Sequence, residues 1–291
     1  MDKSQITQAM IDAYDEYTHL TLDRRRFMER LTALAGSGAA AAAIAPLLAA
    51  SSASAEMIAA DDARLNARDV VYGGSSGEMK GYLVRPKDET GPLGSVVVIH
   101  ENRGLNPHIR DVARRMALEG FIALAPDFLS PSGGTPDDED KARDMIGKLD
   151  PAVTVADAEA SLQFLAGLDG ANGKVGAIGF CWGGGLVNRL ATKSPDLKAA
   201  VAYYGAQPPA KDVPAIKAAL LLHYAGLDER INAGIDAYRK ALEENGKTFE
   251  IHVYDGVNHA FNNDTSAARY DKAAADLAWQ RTVAFLKKNI G

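Results

Sequence analysis

Two unbroken apolar runs, Val96-Val97-Val98-Ile99 and Ala219-Leu220-Leu221-Leu222, constrain this chain more than any other feature. A strand that is apolar at every residue has no face to give to water, so it belongs in the middle of a parallel sheet covered on both sides. From about Met79 onward, short apolar runs alternate with amphipathic stretches separated by turn residues. This pattern predicts strands over residues 81–85, 95–100, 121–125, 174–179, 199–204, 218–224 and 249–254. Helices are expected over residues 108–119, 152–168, 184–194, 231–245 and 271–289. Gly120 and Gly246 stand just past two helix ends, where a left-handed residue is often required. The expected architecture is α/β, a doubly wound, mostly parallel sheet with helices on both faces and a ligand site at the carboxyl ends of the strands. Residues 130–140, rich in Ser, Pro, Gly and Asp, form the longest expected loop and a candidate wall of that site.

A chain of 291 residues suits one such catalytic domain. The hydrophobic share of 47% and charged share of 24% are those of a globular protein. A net charge of −6 argues against a nucleic-acid backbone as partner and favours a small-molecule substrate. The single cysteine, Cys181, has no intramolecular disulfide partner, and no Cys/His cluster has zinc-site spacing. Neither a metal nor another cofactor is expected.

The first 55 residues read as an address. Asp23-Arg24-Arg25-Arg26-Phe27-Met28-Glu29 precedes an Ala-rich, nearly uncharged run from Leu31 to Ala50, and Ala53-Ser54-Ala55 supplies small residues of the kind a signal peptidase accepts. The layout resembles a twin-arginine export signal. It predicts a periplasmic or secreted protein, handled by the export machinery as an already folded chain, with cleavage after Ala55. A membrane anchor formed by an uncut leader is the alternative. Residues 1–55 are therefore expected outside the fold, and residues 56–291 are expected to form a single catalytic domain.

The chemistry centres on Gly179-Phe180-Cys181-Trp182-Gly183. A strand ends there and a helix begins, so the cysteine falls on a sharp turn of nucleophile-elbow type, with sulfur in place of a serine oxygen. Side chains at Gly179 and Gly183 would collide with neighbouring backbone. The following helix directs its positive dipole end at the sulfur and favours a thiolate. A lone cysteine without such surroundings reads as an inert small hydrophobe. Here Asp228 and His259 follow in the order nucleophile, acid, histidine, each just beyond a predicted strand. His259 would take or share the thiol proton and later activate water, and Asp228 would orient the imidazole. Glu229 and Asp255 are rival acids, and His100, at a strand end, is the rival histidine. His19 falls in the export segment and is set aside.

His100-Glu101-Asn102-Arg103-Gly104-Leu105 follows the first apolar strand. The backbone N–H groups of Asn102 and Trp182 are expected to form the oxyanion hole. A Glu101 buried beside the thiol would hold its proton and hand over a thiolate when substrate displaces it.

Together these stretches, with Ala125-Pro126-Asp127, Gly226-Leu227-Asp228 and Asn258-His259-Ala260-Phe261, resemble the dienelactone hydrolase (carboxymethylenebutenolidase) family across residues 66–291. The resemblance implies the α/β-hydrolase fold and a Cys181–Asp228–His259 triad, with Glu101 paired to the resting cysteine. It further implies cofactor-free hydrolysis of a small ester or lactone through a thioester. Where family members that open dienelactone carry a serine and an arginine for the substrate carboxylate, this chain has Ala260 and Asn263, so the substrate is left open. Arg103 and Arg143 are the candidate substrate-binding arginines. A thioester- or peptide-cleaving enzyme, or a non-catalytic thiol-redox or binding protein, are the alternatives on the same scaffold. The expected assembly is a monomer or small homo-oligomer.

Overall fold

The computed structural model describes residues 6–19, 21–49, 57–89 and 91–291. Eight strands form one sheet: β1 (Leu65–Gly73), β2 (Glu78–Pro86), β3 (Leu93–Ile99), β4 (Ile122–Asp127), β5 (Ala171–Phe180), β6 (Leu197–Tyr203), β7 (Ala219–Ala225) and β8 (Phe249–Tyr254), in the order β1-β2-β4-β3-β5-β6-β7-β8. β1 and β2 run antiparallel, and the strands from β4 to β8 pair in parallel. β1 is an addition to the expected set. It is an edge strand, exposed along most of its length, and without a continuous apolar run it has no strand signal to read.

Ten helices are described: α1 (Gln8–Thr18), α2 (Arg24–Ala35), α3 (Gly38–Leu48), α4 (Pro107–Leu118), α5 (Glu139–Ile146), α6 (Pro151–Ala166), α7 (Trp182–Lys193), α8 (Glu229–Asn232), α9 (Ile235–Glu244) and α10 (Lys272–Ile290). The apolar runs behave as their composition requires. Val97 and Ile99 point into the layer shared with α6, α7 and α9, while Val96 and Val98 pack with α4 and α10 on the other face. All four are fully buried. At roughly 1.5–3 kcal/mol for each buried aliphatic side chain, this central strand alone accounts for a large apolar contribution to folding.

Local signals set the helix ends. Asn106 accepts from the Ile109 N–H at 3.1 Å, and Pro107 occupies the first turn of α4. The expected helix over 231–245 is broken at Ala233-Gly234 into α8 and α9. The expected loop 130–140 is organised by Asp127, whose carboxylate accepts from the Leu129 and Thr135 N–H groups and from the Thr135 hydroxyl. It then leads into α5, capped by Asp138.

The larger departure is at the N-terminus. The described residues before position 50 do not stand outside the fold. They form three helices with an apolar cluster of their own, in which Tyr14, Tyr17, Phe27, Leu31, Ile44 and Leu48 are buried, and Tyr17 stacks on Phe27 with ring centres 4.7 Å apart. The physical reason is the amphipathic character of α1. Its buried side carries two tyrosines, which a reading centred on the arginines and the Ala-rich run passes over. Ala53-Ser54-Ala55 lies outside the described residues. No described helix is by itself long and apolar enough to cross a membrane; α2 and α3 pass only as a pair, bent by 112°.

Candidate active site

The elbow forms as its glycines require. Cys181 has φ 54° and ψ −113°, a left-handed backbone for a residue with a side chain. A Cβ on Gly179 would lie 2.3 Å from the carbonyl oxygen of Gly183, and one on Gly183 would lie 2.5 Å from that of His100. Strand β5 therefore passes into α7 with no slack. The Cys181 N–H donates to the Tyr203 carbonyl of β6 at 3.0 Å, which pins the turn to the neighbouring strand. α7 begins at Trp182, two residues before the expected start. The Trp182 N–H, in the helix's first turn, has no intrahelical acceptor.

Asp228 follows β7, His259 follows β8 and Glu101 follows β3, so all three arrive at the same sheet edge as Cys181. One Asp228 oxygen, Oδ2, accepts from His259 Nδ1 at 2.5 Å, and the other caps α8 through the Ile231 N–H at 3.2 Å. Nδ1 is thereby the protonated nitrogen, and Nε2 turns toward the cysteine. His259 Nε2 is buried without a hydrogen-bond partner among the described residues. Cys181, His259, Asn102 and Trp182 line one cavity of about 260 Å³. That is slightly below the roughly 300–1,000 Å³ usual for drug-sized ligands, so it suits a small molecule.

The charges reinforce one another. Burial by itself raises the Cys181 thiol, but the nearby imidazoles of His259 and His19, with the His19 contact to the sulfur, outweigh it and bring it down to about 6. Burial pushes His259 toward its neutral form, yet Asp15, Cys181 and Asp228 together hold its pKa well above the ordinary histidine value. For Asp228 burial raises the carboxyl, and the His259 charge and hydrogen bond bring it below the usual range. Both shifts favour a thiolate facing an imidazolium. Alkylation of Cys181 by iodoacetamide should accordingly rise with pH through about 6 and level off near neutrality, because only the thiolate reacts. An ordinary cysteine would still be accelerating at pH 8; stopped-flow mass analysis across pH 4–9 separates the two.

Several expected partnerships are replaced. Glu101 is buried, but its Oε2 accepts from Asn263 Nδ2 at 2.7 Å and its Oε1 has no hydrogen-bond partner among the described residues. The sulfur's hydrogen-bond neighbour is instead His19, with Nε2 3.3 Å away. Glu101 and Cys181 do border one narrow cleft. Asn263, which stands where family members that open dienelactone carry an arginine, holds Glu101 through its amide. Arg103 and Arg143 are occupied. Arg103 pairs with Asp140 at 3.1 Å, and Arg143 pairs with Asp144 at 2.8 Å and donates to the Tyr17 carbonyl. Only Arg143 of these two lines the larger cavity. His100, the rival histidine, is fully buried, donates through Nδ1 to the Glu101 carbonyl at 2.6 Å and stacks on Trp182. It also accepts from the Phe128 N–H at 3.4 Å, so both of its ring nitrogens are engaged away from Cys181.

The cavity also holds His19, Arg189, Tyr204 and Arg230. Sequence reading set His19 aside with the export segment and passed over the other three, and for Arg189 a signal was available: it lies two turns into the helix that starts at the elbow. Its Nε is buried without a hydrogen-bond partner, and it makes no ion pair among the described residues. As a donor set for a metal ion, His19 Nε2, Cys181 Sγ and His259 Nε2 lie within 4.8 Å of one another. Arg230 Nη2, 2.9 Å from His19 Nε2, sits where the metal would need that nitrogen's lone pair.

Known proteins similar to this chain are numerous. The family model described as "Dienelactone hydrolase family" matches residues 79–290. A protein of Escherichia coli O157:H7 named as a carboxymethylenebutenolidase is 35% identical over 225 residues, covering 72% of this chain and 82% of that one. Protein usf of Aquifex pyrophilus is 38% identical over 222 residues, covering 72% and 94%. Among solved structures, a dienelactone hydrolase-like promiscuous phosphotriesterase from metagenomic libraries superposes with a TM-score of 0.70 at 26% identity, covering 78% of this chain and all of that one.

Proposed function

The chain belongs to the dienelactone hydrolase family and is a carboxylic ester hydrolase, and from that premise we propose that it cleaves a small ester or lactone with Cys181 as nucleophile, through a thioester. The observation that carries this reading is the buried Asp228–His259 pair at 2.5 Å, facing a thiol in a left-handed elbow. In the first half-reaction Cys181 Sγ attacks the carbonyl carbon and the carbonyl oxygen becomes an oxyanion. The backbone N–H groups of Trp182, at the start of α7, and of Asn102 stabilise it in this reading. His259 gives its Nε2 proton to the leaving oxygen as the tetrahedral intermediate collapses to the thioester. The neutral imidazole then removes a proton from water, whose oxygen attacks the thioester, and the thiolate–imidazolium pair is restored. Asp228 keeps the ring in the productive tautomer throughout.

Of the cavity arginines, Arg189 alone has no carboxylate partner among the described residues, so it, in place of Arg103 or Arg143, is the group suited to a negatively charged substituent. The Arg24-Arg25 pair and the Ala-rich run after it support export of the folded chain as part of the same reading. The test of the chemistry is direct: rapid acid quench after mixing with p-nitrophenyl acetate should leave one acetyl group on the peptide containing Cys181, seen by mass spectrometry and removed by hydroxylamine. An acetyl on any other residue, with turnover intact, refutes the assignment.

A further inference from the structure

Helix α1 and His19, which caps its carboxyl end, lie at the catalytic edge of the sheet, and three voids there share them as a wall. Thr18 and His19 border the cavity of about 260 Å³ beside Cys181. Tyr14, Thr18 and His19 border the narrow cleft of about 20 Å³ that Glu101 and Cys181 also line. Ile11, Asp12 and Asp15 border a third void, of about 500 Å³, against Asp228 and Asn258. His259 lines all three. One catalytic histidine facing three separate voids is the mark of a single cleft that has been divided, and α1 is the divider.

Side chains of the α/β domain fasten it there. Asn102 Nδ2 donates to the Thr18 carbonyl at 2.5 Å, and Arg143 donates to the Tyr17 carbonyl at 3.3 Å. Arg143 also lies over the Tyr17 ring, 4.3 Å from its centre, and Arg269 over that of Tyr14 at 5.0 Å. His19 is gripped at both ring nitrogens, by the Asp15 carbonyl 2.7 Å from Nδ1 and by Arg230 Nη2 2.9 Å from Nε2, with Nε2 3.3 Å from the Cys181 sulfur. A reacting carbon must come to about 3–3.5 Å from its nucleophile, so His19 fills one such position. Inside the enclosure His259 Nε2, Glu101 Oε1 and the Tyr204 hydroxyl are buried with no hydrogen-bond partner among the described residues. These are the groups that a substrate entering an undivided cleft would meet. The apolar cluster of α1, α2 and α3 is separate from the two clusters that hold the sheet, and the family model begins after it, at residue 79. Displacing α1 therefore leaves the packing of the sheet intact.

We propose that α1 is an internal plug that divides the substrate cleft and sets the size of acyl group the enzyme accepts: small with α1 docked, long once it is displaced. The proposal deepens the ester-hydrolase reading and rests on Cys181 and His259 being at the reacting centre. Under the export reading, removal of residues 1–55 takes the plug away and leaves the wider specificity. In full-length protein, the wild type should favour p-nitrophenyl acetate over p-nitrophenyl octanoate by about a hundredfold or more in kcat/KM. Ala13→Arg puts a long cation where a fully buried alanine packs among the three N-terminal helices, and Tyr14→Ala with Tyr17→Ala removes the two rings under Arg269 and Arg143. Each variant should reduce the preference for acetate about tenfold or more, with the cooperative unfolding of the α/β domain retained. Independently of turnover, the rate of Cys181 alkylation by N-(1-pyrenyl)maleimide relative to iodoacetamide should rise about tenfold or more in both variants, a ratio in which any change in thiolate fraction cancels.

A wild type that hydrolyses the octanoate as fast as the acetate overturns the proposal, and so does an alkylation ratio that is unmoved in both variants. If no form turns over an ester but the alkylation ratio rises, the plug stands and the esterase reading falls.

Discussion

Cys181→Ala is expected to lower kcat/KM for p-nitrophenyl acetate by at least about a thousandfold, with the folded structure unchanged. The size follows from the mechanism. Without the sulfur no thioester forms, and the oxyanion donors and His259 are left to assist only a direct attack by water. Cys181 is buried and its side chain is small, so removing one sulfur atom leaves little void and costs about 1 kcal/mol of stability. Rate and unfolding temperature should therefore separate cleanly. Retention of more than about a tenth of the activity would mean that another group performs the attack, and it would remove the basis for the roles given to His259 and Asp228.

The second large effect is structural. Gly179→Ala places a methyl group 2.3 Å from the Gly183 carbonyl oxygen and 2.4 Å from its carbon, both backbone atoms inside the first turn of α7. Neither can yield without displacing the helix that carries the Trp182 N–H and the turn that carries Cys181. We expect a loss of about 2–4 kcal/mol in stability, or roughly 5–15 °C in unfolding temperature for a chain of this size. Hydrolysis should be lost even in the fraction that folds. Gly185 is a control on the same helix: the nearest atom to its Cβ is 3.5 Å away, an ordinary contact. Gly185→Ala should unfold within about 2 °C of the wild type by calorimetry. Equal behaviour of the two variants would show that the close approach at the elbow is not what positions the nucleophile.

Much of the site was legible because α/β folds place function at strand ends. Once β5, β7 and β8 could be recognised from the alternation of short apolar stretches and turns, Cys181, Asp228 and His259 fell at one edge of the sheet, in the order nucleophile, acid, histidine. The rival acids and the rival histidine separate only in three dimensions. Asp228 is the residue whose carboxylate reaches His259, and His100 turns out to be packed under Trp182. Glu101 borders one cleft with Cys181, and its partner was not legible. A carboxylate so close to several donors goes to whichever lies within reach, and here that is Asn263.

Periodicity and local turn chemistry are properties of neighbouring residues, and they determined the parallel sheet, the strained elbow and the direction of the helix behind it. Hydrogen bonds between residues remote in sequence are not carried by any local pattern. Only the tertiary structure could bring His19 to within 3.3 Å of a sulfur 162 residues away, or show that Arg143 and Asn102 hold the N-terminal helices in place. A segment that reads as an address by its arginines and alanines is, by the burial of Tyr14 and Tyr17, also part of the wall of the site. Cys181 illustrates both kinds of knowledge: its turn was written in two glycines, and its second imidazole was not.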